Sequence, residues 1–280
     1  MNPLEALAAR LAGAGPVVPV LRLAGVIAPG GRLGTGPSLN IERLADPLRR
    51  AFAVKGAPAV ALIVNSPGGS AVQSHMIARR IRALADEKEK RVLVFVEDVA
   101  ASGGYMIAVA GDEIFVDPSS ILGSIGVVAA SFGFQALIEK IGVERRLHTA
   151  GTKKAMLDPF LPERPEEVAH LEALQKEIHA KFIALVRERR GKALREDEPD
   201  LFSGSFWTGE KAIALGLADA VGDIRSVLRS RYGEKVRLKP MLAERRTLLR
   251  RLGIDALAGM PADAMMAVLE ERGLWGRYGL

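Results

Sequence analysis

A chain of 280 residues with 49% hydrophobic and 26% charged residues has the proportions of a globular protein, which excludes a disordered chain and predicts one large domain, with or without a terminal piece. Aromatics make up only 5%, so the core is expected to be built from Ala, Val, Leu and Ile; the absence of cysteine excludes disulfides, thiol nucleophiles and the usual zinc clusters. The net charge is +6, from 39 Lys+Arg against 33 Asp+Glu, and no apolar run approaches the ~20 residues that span a bilayer.

Met1 to Leu11 reads as a short amphipathic helix, with Glu5 and Arg10 interrupting any signal-peptide pattern, and 1–15 is expected to form a helical arm. The run Val17 to Leu23, followed by Gly25 to Ala28, suits a buried strand. Gly30 to Pro37 lacks the spacing of a phosphate loop and reads as a flexible loop. From Ile41 to Val54, Leu44, Leu48 and Phe52 share one helical face. Ala59 to Val64 is a continuous apolar run, as in a strand buried on both faces of a parallel sheet. It ends in Asn65-Ser-Pro-Gly-Gly-Ser70 and leads into a helix from about Ala71 to Asp86. Arg91 to Val96 repeats the strand pattern and ends in Ala100-Ala-Ser-Gly-Gly104, before a helical stretch from Tyr105 to Ala110.

Further strands are expected at Glu113 to Val116, Gly126 to Ala130 and Val143 to His148. Pro165 to Arg190 has the pattern of a long helix, with Leu171, Leu174, Ile178, Phe182 and Leu185 on one stripe. The alternation of strand and helix predicts an α/β fold with a mostly parallel sheet over 16–238. Residues 239–280 are expected to form a helical C-terminal appendage. Between Arg225 and Arg251 there are ten basic residues and two acidic ones. Such a stretch is either a solvated basic face or a contact for an anionic surface.

In parallel α/β sheets, ligands gather at the carboxyl ends of strands, and two such ends here are glycine-rich. Ser102 starts a helix between Ala101 and Gly103, unhindered and in the positive field of the helix dipole. It can be an acyl-transfer nucleophile or simply a helix cap. A nucleophilic serine needs a base. Of the four histidines, His170 and His179 lie on the long helix and His75 on the helix after Ser70, leaving His148 at the end of an expected strand. Lys153 and Lys154 are the other candidates, because a lysine held among small apolar groups loses hydration and accepts a proton more readily. Adjacent residues on extended chain face opposite sides, so one lysine at most faces the site, and these considerations alone do not choose it.

Four motifs occur in order: Asn65-Ser-Pro-Gly-Gly-Ser70, Ala100-Ala-Ser-Gly-Gly-Tyr105, Leu122-Gly-Ser-Ile-Gly-Val127, and Trp207-Thr-Gly-Glu with Gly216-Leu-Ala-Asp219. Together they resemble the signal peptide peptidase A family of serine peptidases, in its shorter single-repeat form, over roughly Val17 to Val227. The resemblance implies the β-α superhelix shared by Clp protease and crotonase. It implies Ser102 as nucleophile and Lys154, last residue of Gly151-Thr-Lys-Lys154, as general base. It further implies Ser124 as the residue orienting that lysine, and Gly69 (or its neighbour Gly68) with Gly103 as the oxyanion hole. A serine endopeptidase with a Ser-Lys dyad is therefore expected, acting on peptides such as remnant signal peptides with small or apolar residues at the cleavage site. The resemblance also implies a homo-oligomeric ring in which serine and lysine can come from neighbouring subunits.

Typical members carry an N-terminal membrane anchor. None is seen here, so a soluble cytoplasmic chain is expected, with peripheral contact at an anionic inner-membrane surface and a general peptide scavenger as an equal alternative. No cofactor, metal or nucleic acid is expected. A Clp-type Ser-His-Asp triad would need a histidine near Val127, where none lies. A crotonase-like acyl-CoA enzyme has no need of Ser102 or Lys154, and an inactive scaffold no need of the matched polar residues.

Overall fold

The computed structural model describes residues 15–29, 38–241 and 272–280. The arm expected at 1–15, the glycine-rich loop and most of the appendage after 239 lie outside the described residues. In chain order the elements are β1 (Val17–Ala24), α1 (Ile41–Phe52), β2 (Ala59–Ser66), α2 (Ala71–Glu87), β3 (Arg91–Ala101), α3 (Gly103–Ala108), β4 (Glu113–Val116), β5 (Ile121–Gly123), α4 (Gln135–Lys140), α5 (Pro165–Arg190), β6 (Phe206–Thr208), α6 (Gly209–Ala214), β7 (Ala220–Val221), α7 (Ile224–Tyr232) and β8 (Arg237–Pro240).

One sheet carries all eight strands, in the order β6-β5-β3-β2-β1-β8, with β4 and β7 branching from β3. Every pairing is parallel except β5 with β6. The continuous apolar run of β2 has the expected cause: Val60, Leu62 and Val64 pack toward one layer, Ala59 and Ala61 toward the other. Each such fully buried leucine contributes about 1.5–3 kcal/mol. The larger layer holds Leu44, Leu48 and Phe52 of α1, Ile77 and Ile81 of α2, all of α3 from Tyr105 on, and Phe182 and Val186 of α5. The smaller layer lies under α7, where Phe95 and Phe115 stack with ring centroids 5.2 Å apart beside Leu228.

The point that matters for the site is the length of β3. It continues past Val96 to Ala101, beyond the expected end. It pairs first with β4 through Val96↔Val116 and then with β5 through Ala101↔Gly123. The register against β2 shifts between Val64 and Ser66. Asn65 spans this irregularity: its Nδ2 donates to Asp98 (2.5 Å) and its Oδ1 accepts from the Val99 N–H (3.3 Å). A buried backbone group is thereby satisfied by a side chain where the ladder fails.

Three expectations are corrected. Residues 126–130 and 143–148 form no strand. Beyond Gly123, β5 is flanked by β6, so these apolar stretches have no neighbouring strand to bond with, and a strand cannot stand without one. Val128, Phe132 and Val143 remain exposed. On α5 the apolar stripe is buried only toward its C-terminal end; Leu174 and Ile178 are 44% and 40% exposed. Finally, β8 runs through position 238 to Pro240, so the sheet extends across the boundary drawn there. At the other end of the sheet, Tyr278 meets Phe206 of β6 edge-on, with centroids 5.1 Å apart.

Candidate active site

Ser102 stands at the join of β3 and α3 with φ 52° and ψ −122°. Non-glycine residues enter this region at a cost of about 1–3 kcal/mol, and they stay only where the surroundings hold them. Here the Ser102 N–H donates to the Gly123 carbonyl (2.9 Å), and the Ser102 carbonyl accepts from Met106 N–H (3.0 Å). The following helix is buried along its whole length, locked by the Tyr105 hydroxyl, which donates to the Leu217 carbonyl (2.8 Å). Burial pushes the Tyr105 phenol above its usual range, so it remains a neutral donor. The hydroxyl of Ser102 makes no capping hydrogen bond. The helix-cap reading is thus set aside by geometry.

The second glycine turn lies directly on this one. Gly68 has φ 102°, and a Cβ there would come within 2.8 Å of both the Ala101 carbonyl oxygen and the Gly103 nitrogen, and 2.9 Å from Ser102 Cβ. The turn is held by β-bridge contacts to Ile27: Ile27 N–H donates to Gly68 O (2.8 Å) and Ser70 N–H to Ile27 O (2.7 Å). The amide of Gly68 is already engaged, donating to Ser66 Oγ (3.2 Å), and Ser66 Oγ donates to Gly25 O (2.7 Å). The amides of Gly69 and Gly103 have no acceptor among the described residues. Two free N–H groups therefore belong to Gly103, next in chain to Ser102, and to Gly69, next to the Gly68 that rests against it.

Ser124 is the next residue beyond the Ala101↔Gly123 pair, so it lies beside Ser102 at the end of the same two strands. It too has a positive φ, 53°. Its N–H donates to the Ser205 carbonyl (2.7 Å), and its carbonyl accepts from Gly126 N–H (2.9 Å). Gly123 is required by Trp207: a Cβ would fall 2.8 Å from the indole ring. The Trp207 motif thus acts from a distance, setting the strand that carries Ser124.

Lys154 is placed differently. It is exposed, on a turn closed by its own N–H donating to the Gly151 carbonyl (3.2 Å), and no hydrogen bond joins it to Ser102 or Ser124. Its segment has fastenings of its own. Arg145 pairs with Asp158 (2.9 Å), Leu157 N–H donates to Glu167 Oε2 (2.9 Å), and Phe134 N–H donates to Pro159 O (2.6 Å). Hydrogen bonds from Phe160 N–H and Arg145 hold the Asp158 carboxyl below its usual range, and the Leu157 N–H and Arg164 do the same for Glu167. His148 is also exposed on this segment and has no hydrogen-bond partner among the described residues.

One residue that the sequence did not single out reaches the site. His179, midway along α5, places Nε2 2.9 Å from the Ile125 carbonyl, next to Ser124. Nothing in the helical pattern marks it, because the contact depends on where α5 passes the turn after β5. Among the described residues no group of His, Cys, Asp and Glu is gathered to hold a metal ion. No described helix is long and apolar enough to cross a membrane.

The chain is 56% identical over 273 residues to a Na(+)/H(+) antiporter NhaA of Brucella abortus, covering 94% of this chain and 37% of that protein. It is 33% identical over 190 residues to the chloroplastic serine protease SPPA of Arabidopsis thaliana (68% of this chain, 28% of that protein). Against protease 4 of Haemophilus influenzae it is 33% identical over 191 residues (67% and 30%). The chain thus spans well under two thirds of the length of these relatives. Among solved structures, a membrane-bound stomatin-specific protease, a lysine-to-alanine variant in complex with a substrate peptide, superposes with TM-score 0.50 at 17% identity over 86% of this chain and 99% of that one. At that identity the likeness bears on the fold, which is the expected β-α superhelix. Peptidase family S49 matches residues 85–236, a stretch that includes Ser102, Ser124 and Lys154. Since that match takes in more than half of the chain, the protein belongs to peptidase family S49.

Proposed function

We propose that this chain is a serine endopeptidase working through a Ser-Lys dyad. The observation that carries the reading is Ser102 itself: a strained serine with an uncapped hydroxyl, on two touching glycine turns where the amides of Gly69 and Gly103 are free. Ser102 Oγ attacks the scissile carbonyl carbon while its proton passes to the neutral Nζ of Lys154. The carbonyl π pair becomes an oxyanion, met by the N–H groups of Gly69 and Gly103; such donors are each worth about 3–4 kcal/mol in the transition state. Of the two neighbouring glycines, the engaged amide of Gly68 favours Gly69 as donor. Collapse breaks the C–N bond, and the Lys154 ammonium returns its proton to the leaving amine. Water, deprotonated in turn by Lys154, then cleaves the acyl ester and restores Ser102. Ser124, beside Ser102, orients the lysine through its hydroxyl.

Lys154 reaches Ser102 from a neighbouring subunit of a homo-oligomeric ring. This is supported by its exposure and by the bare apolar side chains on its segment and on α5, including Phe132, Leu137, Ile141, Leu174 and Ile178. The substrates are peptides with small or apolar residues at the cleavage site, remnant signal peptides among them. A peptide complex of the fold neighbour agrees with a peptide ligand. The chain acts on the cytoplasmic side, with the exposed basic residues of α7 and β8 resting against an anionic membrane surface.

A fluorophosphonate probe followed by peptide mass spectrometry tests the reading. Labelling is expected on Ser102 in the wild type, lost in Ser102→Ala and reduced at least a hundredfold in Lys154→Ala, as when one member of a catalytic unit is removed. Labelling that persists in Ser102→Ala would sink it. So would recovery of Lys154→Arg at raised pH, because a guanidinium does not give up its proton.

A further inference from the structure

The turn Ser124-Ile125-Gly126 has an anchor that its own strand does not supply. Ser124 is held in a left-handed conformation, φ 53°, which costs a serine about 1–3 kcal/mol if nothing compensates. Backbone bonds restrain it through Ser205 and Gly126. The fully buried Ile125 turns its carbonyl toward α5, where His179 Nε2 lies 2.9 Å away. Among the described residues this is the one side-chain hydrogen bond made to the turn. A carbonyl oxygen only accepts, so Nε2 must carry the hydrogen. The Nε2–H tautomer and the imidazolium both satisfy that demand.

We propose that His179 is a positioning residue for the Ser124 hydroxyl: by pinning the Ile125 carbonyl to α5, it fixes the direction from which Ser124 meets the catalytic lysine. The assignment rests on the Ser-Lys reading. His179 does not act as the base in place of the lysine, since its Nε2 is occupied as a donor to Ile125 and it has no bond to Ser102. Its effect is indirect. Without the anchor the Ser124 hydroxyl loses its fixed aim, and the lysine loses the hydrogen bond that holds it ready to take the Ser102 proton.

Three polar or small replacements separate this role from bulk stability. His179→Gln carries an amide N–H to nearly the distance of Nε2; His179→Asn is of similar polarity but falls short; His179→Ala removes the donor. The rate of fluorophosphonate labelling at Ser102 is measured from pH 5 to pH 10, beside thermal midpoints and oligomeric state. Labelling in His179→Asn and His179→Ala is expected to fall roughly tenfold, the size of one lost positioning hydrogen bond. The acid limb of their profiles should be displaced from the wild type, because that limb reports the lysine's environment. His179→Gln should recover to within about threefold and regain the wild-type limb. Wild-type rate and a superimposable profile in His179→Asn would overturn the assignment. Equal impairment of all three with an unmoved limb would also overturn it, marking a role in packing alone. If the wild type itself is not labelled at Ser102, the peptidase reading fails first and takes this one with it.

Discussion

Gly68 joins the two turns of the site through a backbone angle and a close approach acting together. Its φ of 102° and the absence of a side chain let the Ser-Pro-Gly-Gly turn rest against Ser102 and Gly103. Gly68→Ala is therefore expected to cost about 1–3 kcal/mol in urea unfolding. It should also slow Ser102 labelling roughly tenfold or more, by moving a donor away from the proposed oxyanion position. Gly56→Ala is the matched control: its φ is 67°, yet nothing lies within 4 Å of the added Cβ. It should lose stability and keep its labelling rate. Equal labelling in the two variants would show that the contact between the turns is irrelevant to the site. At this scale much was legible from the motifs. Ser102, Gly69, Gly103 and Ser124 are brought together, because all lie at strand ends whose glycines reveal tight backbone. The strain at Ser102 and the occupied amide of Gly68 were not legible, since both depend on angles that no residue type dictates.

At the level of elements, β2, α2, β4 and α5 follow their sequence patterns, each marked by apolar spacing and punctuated by glycine, proline or a capping serine. The length of β3 was hidden, because Glu97 and Asp98 interrupt the apolar run just where Asn65 carries the strand across its irregularity. The stretches 126–130 and 143–148 mislead for the opposite reason: they have the faces of strands and no edge to join. The α7–β8 edge has a consequence of its own. Arg225, Arg229, Lys235, Arg237 and Lys239 are all exposed there, whereas Arg231 is drawn back to Glu113. Arg229 also lies 3.7 Å from Glu234, and the other four have no ion pair among the described residues; a cation near an anionic surface is worth about 1 kcal/mol. The protein should thus float with phosphatidylglycerol vesicles at low salt and be released by several hundred millimolar salt. Replacing Arg225, Arg229, Lys235, Arg237 and Lys239 by Gln should abolish flotation without slowing Ser102 labelling. Equal flotation with neutral phosphatidylcholine would remove the membrane contact from the account.

For the molecule as a whole, the exposure of Lys154 and its lack of a hydrogen bond to Ser102 make a sharp demand of the proposed dyad. If the dyad forms between copies, Ser102→Ala and Lys154→Ala are each dead alone, yet a mixture contains junctions where an intact serine meets an intact lysine. Exchanging subunits between the two should restore up to about a quarter of wild-type peptide cleavage, with recovery that fades on dilution by mass action. No recovery after verified exchange would place both residues in one subunit. The place of Lys154 was not legible in the sequence, because it lies on an exposed turn that no residue pattern positions. The sheet carries a further implication through β1, which is flanked by β2 on one side and by β8 on the other, in register from Val17↔Arg237. During synthesis the outer edge of β1 must wait, unpaired, until almost the entire described fold has been made. Parallel pairings of such separation form slowly, and an open edge is a template for wrong partners. A nascent copy is thus most vulnerable to aggregation after the turns at Gly68 and Ser102 have emerged and before β8 has covered the edge of β1.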